Sequence, residues 1–193
     1  MIDIPTPCKN EVEKYLKKWD SLENYVLQEK SLDKLFFITY PNNNEIEDIL
    51  IKVSSLNDFY STNIFSVFPV AKHILNLGID NRLKSNDETL VNDIANLSIN
   101  GKKKCFYSFA TKYCSHHNPI NFPIYDSYVD KILNYYKRKD HFYDFKREDL
   151  KNYIVFKKVL IAFKKFYSID EYNLKDIDIY LWQLGKDYFP NKY

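Results

Sequence analysis

Glycine is almost missing from this chain, with 3 residues in 193. Apolar residues recur at helical spacing, as in Val12, Leu16, Trp19 and again in Ile154, Leu160, Phe163. The chain therefore reads as all-α. Cysteine is equally scarce: Cys8, Cys105 and Cys114 are an odd number with no C-x-x-C pair, which excludes a disulfide framework and a zinc knuckle. An iron-sulfur cluster would lack its fourth ligand. Cys114, His116 and His117 lie together on one short stretch, and three such neighbours do not complete a metal shell. No metal and no cofactor are expected. No apolar run approaches the roughly 20 residues a bilayer span needs, and the start MIDIPTPCKNEVEKYLKKWD has no signal-peptide core. The protein is expected in the cytoplasm, off the membrane, as a monomer.

Aromatic side chains are abundant, 17 Tyr and 14 Phe in a chain that is 45% hydrophobic, so ordered folding is expected. The length suits one helical domain or two small lobes sharing a cleft. Helices are predicted over 9–28, 44–60, 65–77, 87–98, 103–117, 127–138, 147–167 and 173–189, with turns at PNNN, 41–44, and SING, 98–101. There is no repeat and no low-complexity linker. The one weak seam, near 98–101, divides possible lobes 1–98 and 99–193. The net charge of +2 divides there into 10 basic and 15 acidic residues before the seam and 18 and 11 after it. If either half faces a polyanion, it is the second; such imbalance also arises on solvated helices.

The chemistry-bearing stretch is NGKKKCFYSFATKYCSHHNPINFPIYDSYVDKILNYYK, 100–137. It combines a polar turn at Gly101, three lysines, a helix, a proline-punctuated loop and a second helix beginning at Asp126. FPIYDSYVDKIL at 122–133 resembles the segment around the catalytic aspartate of the adenine mismatch glycosylase branch of the helix-hairpin-helix glycosylase superfamily. Phe122, Pro123, Ile124, Asp126 and Val129 sit where that pattern has them. With SFATKYCSHHNP at 108–119 and LWQLGK at 181–186, the chain more closely resembles the bacterial 8-oxoguanine-glycosylase-like group. The sharp likeness covers about forty residues, and LNDFYSTNI at 56–64 extends it loosely.

The resemblance implies an all-α helix-hairpin-helix glycosylase-like bundle, two lobes around a cleft, that flips a modified base out of double-stranded DNA and excises it. Breaking an N-glycosidic bond builds positive charge on the sugar, and the Asp126 carboxylate would stabilise it and activate water. From position alone Asp126 is an ordinary helix N-cap, and both roles are compatible. Lys112 is the second catalytic candidate, as the amine that attacks C1′ in bifunctional, lyase-active members. It precedes Asp126 by 14 residues, against about 18 in the superfamily, and an ungapped comparison puts Ser108 at the lysine position. Ser108 and Lys112 share a helix face.

The hairpin departs from the family's two-glycine turn, offering Asn100 and Gly101 followed by Lys102, Lys103 and Lys104. These lysines are expected to meet phosphates, the plainer reading being a solvated helix start. Phe122, Tyr125, His116, His117 and Trp182 are the candidate faces of a base pocket, although aromatics at helical spacing ordinarily fill a core. Asn63 is the candidate that enters the gap left by the extruded base, or else a plain cap. The target base stays open between an oxidised purine in repair and a hypermodified phage pyrimidine, such as glucosylated hydroxymethylcytosine, in anti-phage defence. Two further readings remain: a DNA-binding module of the same design without catalysis, and a helical interaction protein with incidental charge asymmetry.

Overall fold

Asp126, Asn152 and Asn173 each begin a helix by accepting backbone N–H groups of the turn that follows. A computed structural model describes residues 3–190. Its helices are α1 (Lys9–Asp20), α2 (Glu23–Asp33), α3 (Ile46–Tyr60), α4 (Val67–Leu77), α5 (Asp80–Lys84), α6 (Thr89–Ala95), α7 (Tyr107–His117), α8 (Ser127–Asp140), α9 (Tyr153–Phe166) and α10 (Leu174–Tyr188). A π-helical turn, Lys34–Thr39, extends α2, and a 3-10 turn, Arg147–Lys151, precedes α9. Two short strands, β1 (Asn96–Ile99) and β2 (Lys102–Cys105), form the antiparallel ribbon among the described residues.

The all-α expectation therefore holds apart from that ribbon, which corrects one detail. Residues 96–105 were expected to end one helix, turn at Gly101 and start another. Instead Asn100 and Gly101 both take positive φ, 51° and 75°, and join two strands. That is the two-residue turn Asn-Gly favours, because its twist matches that of the paired strands. Lys102, Lys103 and Lys104 thus lie along β2, opposite Ile99, Ser98 and Leu97, and no helix starts there. The single helix expected over 9–28 breaks at Ser21, whose hydroxyl bonds back to Lys18 O at 2.6 Å.

The chain divides into two compact units, Asn24–Ile124 and Met1–Glu23 with Tyr125–Tyr193. The turn at 98–101 lies inside the first. In that continuous unit the core is built from Val53 and Leu56 of α3, Val70 and Ile74 of α4, Leu90 and Ile94 of α6, and Phe109 and Tyr113 of α7. In the split unit, α10 packs against α1 through Tyr15–Tyr180 and Trp19–Trp182 ring contacts, and against α8 through Gly185. A Cβ at Gly185 would stand 2.5 Å from Tyr128 Cβ, so only glycine allows this approach. No helix is long and apolar enough to cross a membrane among the described residues.

Candidate functional site

Phe122, Pro123, Ile124 and Tyr125 are buried and bring the chain to Asp126 in extended conformation, φ −145° and ψ −179°. Asp126 Oδ1 accepts from Tyr128 N at 2.8 Å and Val129 N at 2.9 Å. Oδ2 makes no hydrogen bond or ion pair among the described residues. One oxygen is thereby fixed by two amides at the positive end of a helix, and the other takes no part in the cap.

One turn along α8 lies Asp130, a residue that sequence reasoning passed over. It is buried, and both of its oxygens are used. Tyr125 Oη donates to Oδ1 at 3.0 Å, and Arg147 Nε and Nη2 donate to Oδ2 at 2.9 and 2.5 Å. Burial, then Asp130, pushes the Tyr125 phenol up. Arg147 is held further above its ordinary range by its hydrogen bonds to Asp130. The Lys151 ammonium stands 4.6 Å from the Tyr125 ring centroid. Asp130 had a legible signal, an acid four residues after Asp126 on the same helix face; its partner Arg147 had none.

Lys112 belongs to the continuous unit, on α7. It is 3% exposed, and its amine donates to Ser108 Oγ at 2.6 Å, one turn back on α7. The same amine lies 5.2 Å from the Tyr60 ring centroid. Tyr60 Oη and His116 Nε2 are 2.9 Å apart. Ser108, Lys112 and His116 therefore form one stripe of α7 capped by Tyr60, as the i, i+4, i+8 spacing requires.

The other face of α7 faces a closed polar knot. Tyr113 Oη donates to Asn43 Oδ1 at 2.6 Å, and His117 Nε2 lies 3.2 Å from the same amide. Lys52 Nζ donates to that oxygen at 2.6 Å, to Asn42 O at 2.7 Å and to Tyr40 O at 3.1 Å. Asp80 takes the Asn43 side chain and backbone N–H groups at 2.6 and 2.9 Å. Burial pulls Lys52 down to about 8. Burial first, then the Lys52 charge, pulls His117 down to about 3.

The expected base-pocket residues fall in both units, His116, His117 and Phe122 in the continuous one and Tyr125 and Trp182 in the split one. His116 bonds to Tyr60, whereas His117 is held in the knot. Phe122 is fully buried, and Tyr125 is tied to Asp130. Trp182 packs edge-on against Trp19 with Lys186 over its ring, which makes it a fixture of α1–α10 packing. Nor do Cys114, His116 and His117 converge on one point, since the Cys114 thiol is buried and each histidine has a different partner.

Asn63 takes a left-handed φ of 59° in a loop that Asn57 holds through Thr62, Ile64 N and Ile64 O. Two residues on, Phe65 is 97% exposed.

A family model, HI_0787_N, described as an N-terminal domain, matches residues 11–121. The chain belongs to this family. A Haemophilus influenzae relative described as an uncharacterized protein is 56% identical over 146 residues, which is 75% of this chain and 70% of its own length. No solved structure matches. The HI_0787_N match includes Ser108, Lys112, His116 and His117 and ends before Phe122 and Asp126.

Proposed function

We propose that this chain is a DNA glycosylase that releases a modified base from duplex DNA by hydrolysis, with Asp126 as the catalytic carboxylate. The observation that carries the reading is the divided role of that side chain, Oδ1 locked by two amides and Oδ2 open. A carboxylate held in this way needs no reorganisation to stabilise an oxocarbenium-like sugar or to orient a water toward C1′. The resemblance of FPIYD at 122–126 to a glycosylase aspartate segment supports the same assignment.

Hydrolysis is preferred to Schiff-base chemistry because the Lys112 amine is covered, with the residue 3% exposed. A nucleophilic amine has to reach the sugar C1′, and burial stands in the way. Lys102, Lys103 and Lys104 on the ribbon, all exposed, remain candidate phosphate contacts. In the 61–66 loop the wedge role passes from Asn63 to Phe65, whose ring is the exposed apolar surface there.

The test is incubation with oligonucleotides carrying oxidised purines or glucosylated hydroxymethylcytosine, followed by detection of abasic sites. Release by the wild type, and its loss in a folded Asp126→Asn variant, is the expected result. Borohydride should trap no adduct. An Asp126→Asn enzyme of full activity overturns the assignment. Duplex binding without release from any base returns the chain to a non-catalytic DNA-binding module.

A further inference from the structure

Within the split unit, α1 and α9 each carry four lysines but meet their charge differently. On α1, Lys9 pairs with Glu171 at 3.2 Å, Lys14 with Glu11 at 3.2 Å and Lys18 with Asp187 at 2.8 Å. On α9, Lys157, Lys158, Lys164 and Lys165 share a helix that contains no acidic residue. Lys158, Lys164 and Lys165 make no ion pair among the described residues. Lys158 and Lys165 are exposed and seven residues apart, which puts them on one face about 10 Å from each other. No acidic side chain among the described residues neutralises Lys158, Lys164 or Lys165, so their charge faces solvent and is open to a polyanion.

The basic run continues toward the aspartate. Arg147 and Lys151, on the 3-10 turn that leads into α9, reach Asp130 and the Tyr125 ring respectively, and Tyr125 precedes Asp126 in the chain. From 131 to 165 there are 11 basic and 4 acidic residues, so the positive excess of the second half lies here more than on the ribbon.

The shape of the patch decides among polyanions. α9 has already buried its apolar face, Tyr153, Phe156, Val159, Leu160 and Phe163, leaving Ile161 and Phe166 half exposed. A helix that lies in a membrane interface needs that face free. A protein partner would need an apolar centre ringed by charge, whereas here the two half-exposed apolar residues, Ile161 and Phe166, are five residues apart and do not share a helix face. A phosphate backbone needs only cations along a ridge.

We propose that the lysine face of α9, continued by Lys151, binds the phosphodiester backbone of duplex DNA without regard to sequence. This shares its partner with the excision reading but requires no base release.

The experiment titrates the full chain onto a fluorescent, unmodified duplex across roughly 50–200 mM salt, where counterion release dominates affinity. A Lys158→Gln, Lys164→Gln, Lys165→Gln variant with unchanged helicity and Tm should lose at least tenfold in affinity. Its log-affinity against log-salt slope should shrink by about 2 to 3, near 0.9 per phosphate contact. A Lys14→Gln, Lys17→Gln, Lys18→Gln variant should stay within about twofold, because two of those three charges are spent inside the unit. The proposal is overturned if the α9 variant binds duplex as the wild type does. It is equally overturned if that variant keeps duplex binding and loses binding to phosphatidylserine vesicles instead. Wild-type binding that depends on α9 while no oligonucleotide loses a base supports this surface and sinks the excision reading alone.

Discussion

Lys52 in the continuous unit and Asp130 in the split unit are both buried charges, and their surroundings are opposites. Lys52 is 0% exposed and is held by three neutral acceptors, two of them backbone carbonyls. Asp130 is 3% exposed but is neutralised by Arg147, whose side chain is 69% exposed. A cation solvated by carbonyls acts as a structural plug with no open valence. An anion paired at the surface leaves the neighbouring turn of α8 accessible, and that turn begins at Asp126. Both charges are buried, and what distinguishes them is their surroundings: beside Asp130 stands Asp126 with one oxygen that has no partner among the described residues, and the proposed function rests on that oxygen.

The largest break in this comparison should come at Lys52. Lys52→Ala strips the Tyr40 and Asn42 carbonyls of the Lys52 donor, leaves Asn43 Oδ1 with the Tyr113 hydroxyl, and opens a cavity, so unfolding free energy should fall by about 3–5 kcal/mol. A denaturation midpoint close to wild type would contradict the plug.

Acid sharpens the same contrast through His117. Its neutral form is favoured in the fold, with a pKa of about 3 against 6.5. The unfolded chain therefore binds the extra proton between those values. Stability should be fully present above pH 6.5 and should fall as pH drops toward 3, by at most about 1.4 kcal/mol per pH unit. His117→Gln should flatten that limb of the stability-pH curve. Lys52 has the same sign at higher pH: its contribution should rise as pH goes from about 8 to 10.5.

In the split unit, Gly185→Ala should cost about 1–3 kcal/mol, since the new Cβ meets Tyr128 Cβ at 2.5 Å and its backbone at 3.0 Å. Tyr128 N is one of the two amides on Asp126, so under the proposed excision reading base release should fall further than the lost stability explains. Equal losses in folded fraction and activity would show that α10 does not position the aspartate.

The smallest effect is expected at Arg147. Its exposure screens the pair, so Arg147→Gln should destabilise by about 1–2 kcal/mol. A thermal melt indistinguishable from wild type would mean that water satisfies Asp130 equally well.

Several features were legible from residues alone because their causes are local. α3, α4, α8 and α10 begin and end within a few residues of the predicted bounds, since a 3.6-residue apolar period and a cap such as Asp126 or Asn173 act within one or two turns. Asp126 itself was found in this way, and so was the Ser108–Lys112 face.

The rest was decided by groups distant in sequence. The lysines of β2 carry no strand signal of their own, and only pairing with Asn96–Ile99 makes them a strand, although Asn100–Gly101 was a readable turn. His117 meets Asn43 from 74 positions away and Arg147 meets Asp130 from 17, so neither the knot nor the ion pair has a period or motif to betray it. The charge count per half was correct, but its placement was not readable. Whether a lysine is paired, as Lys9 and Lys18 of α1 are, or makes no ion pair among the described residues, as with Lys158 and Lys165 of α9, depends on which helix packs beside it, and only tertiary structure sets that.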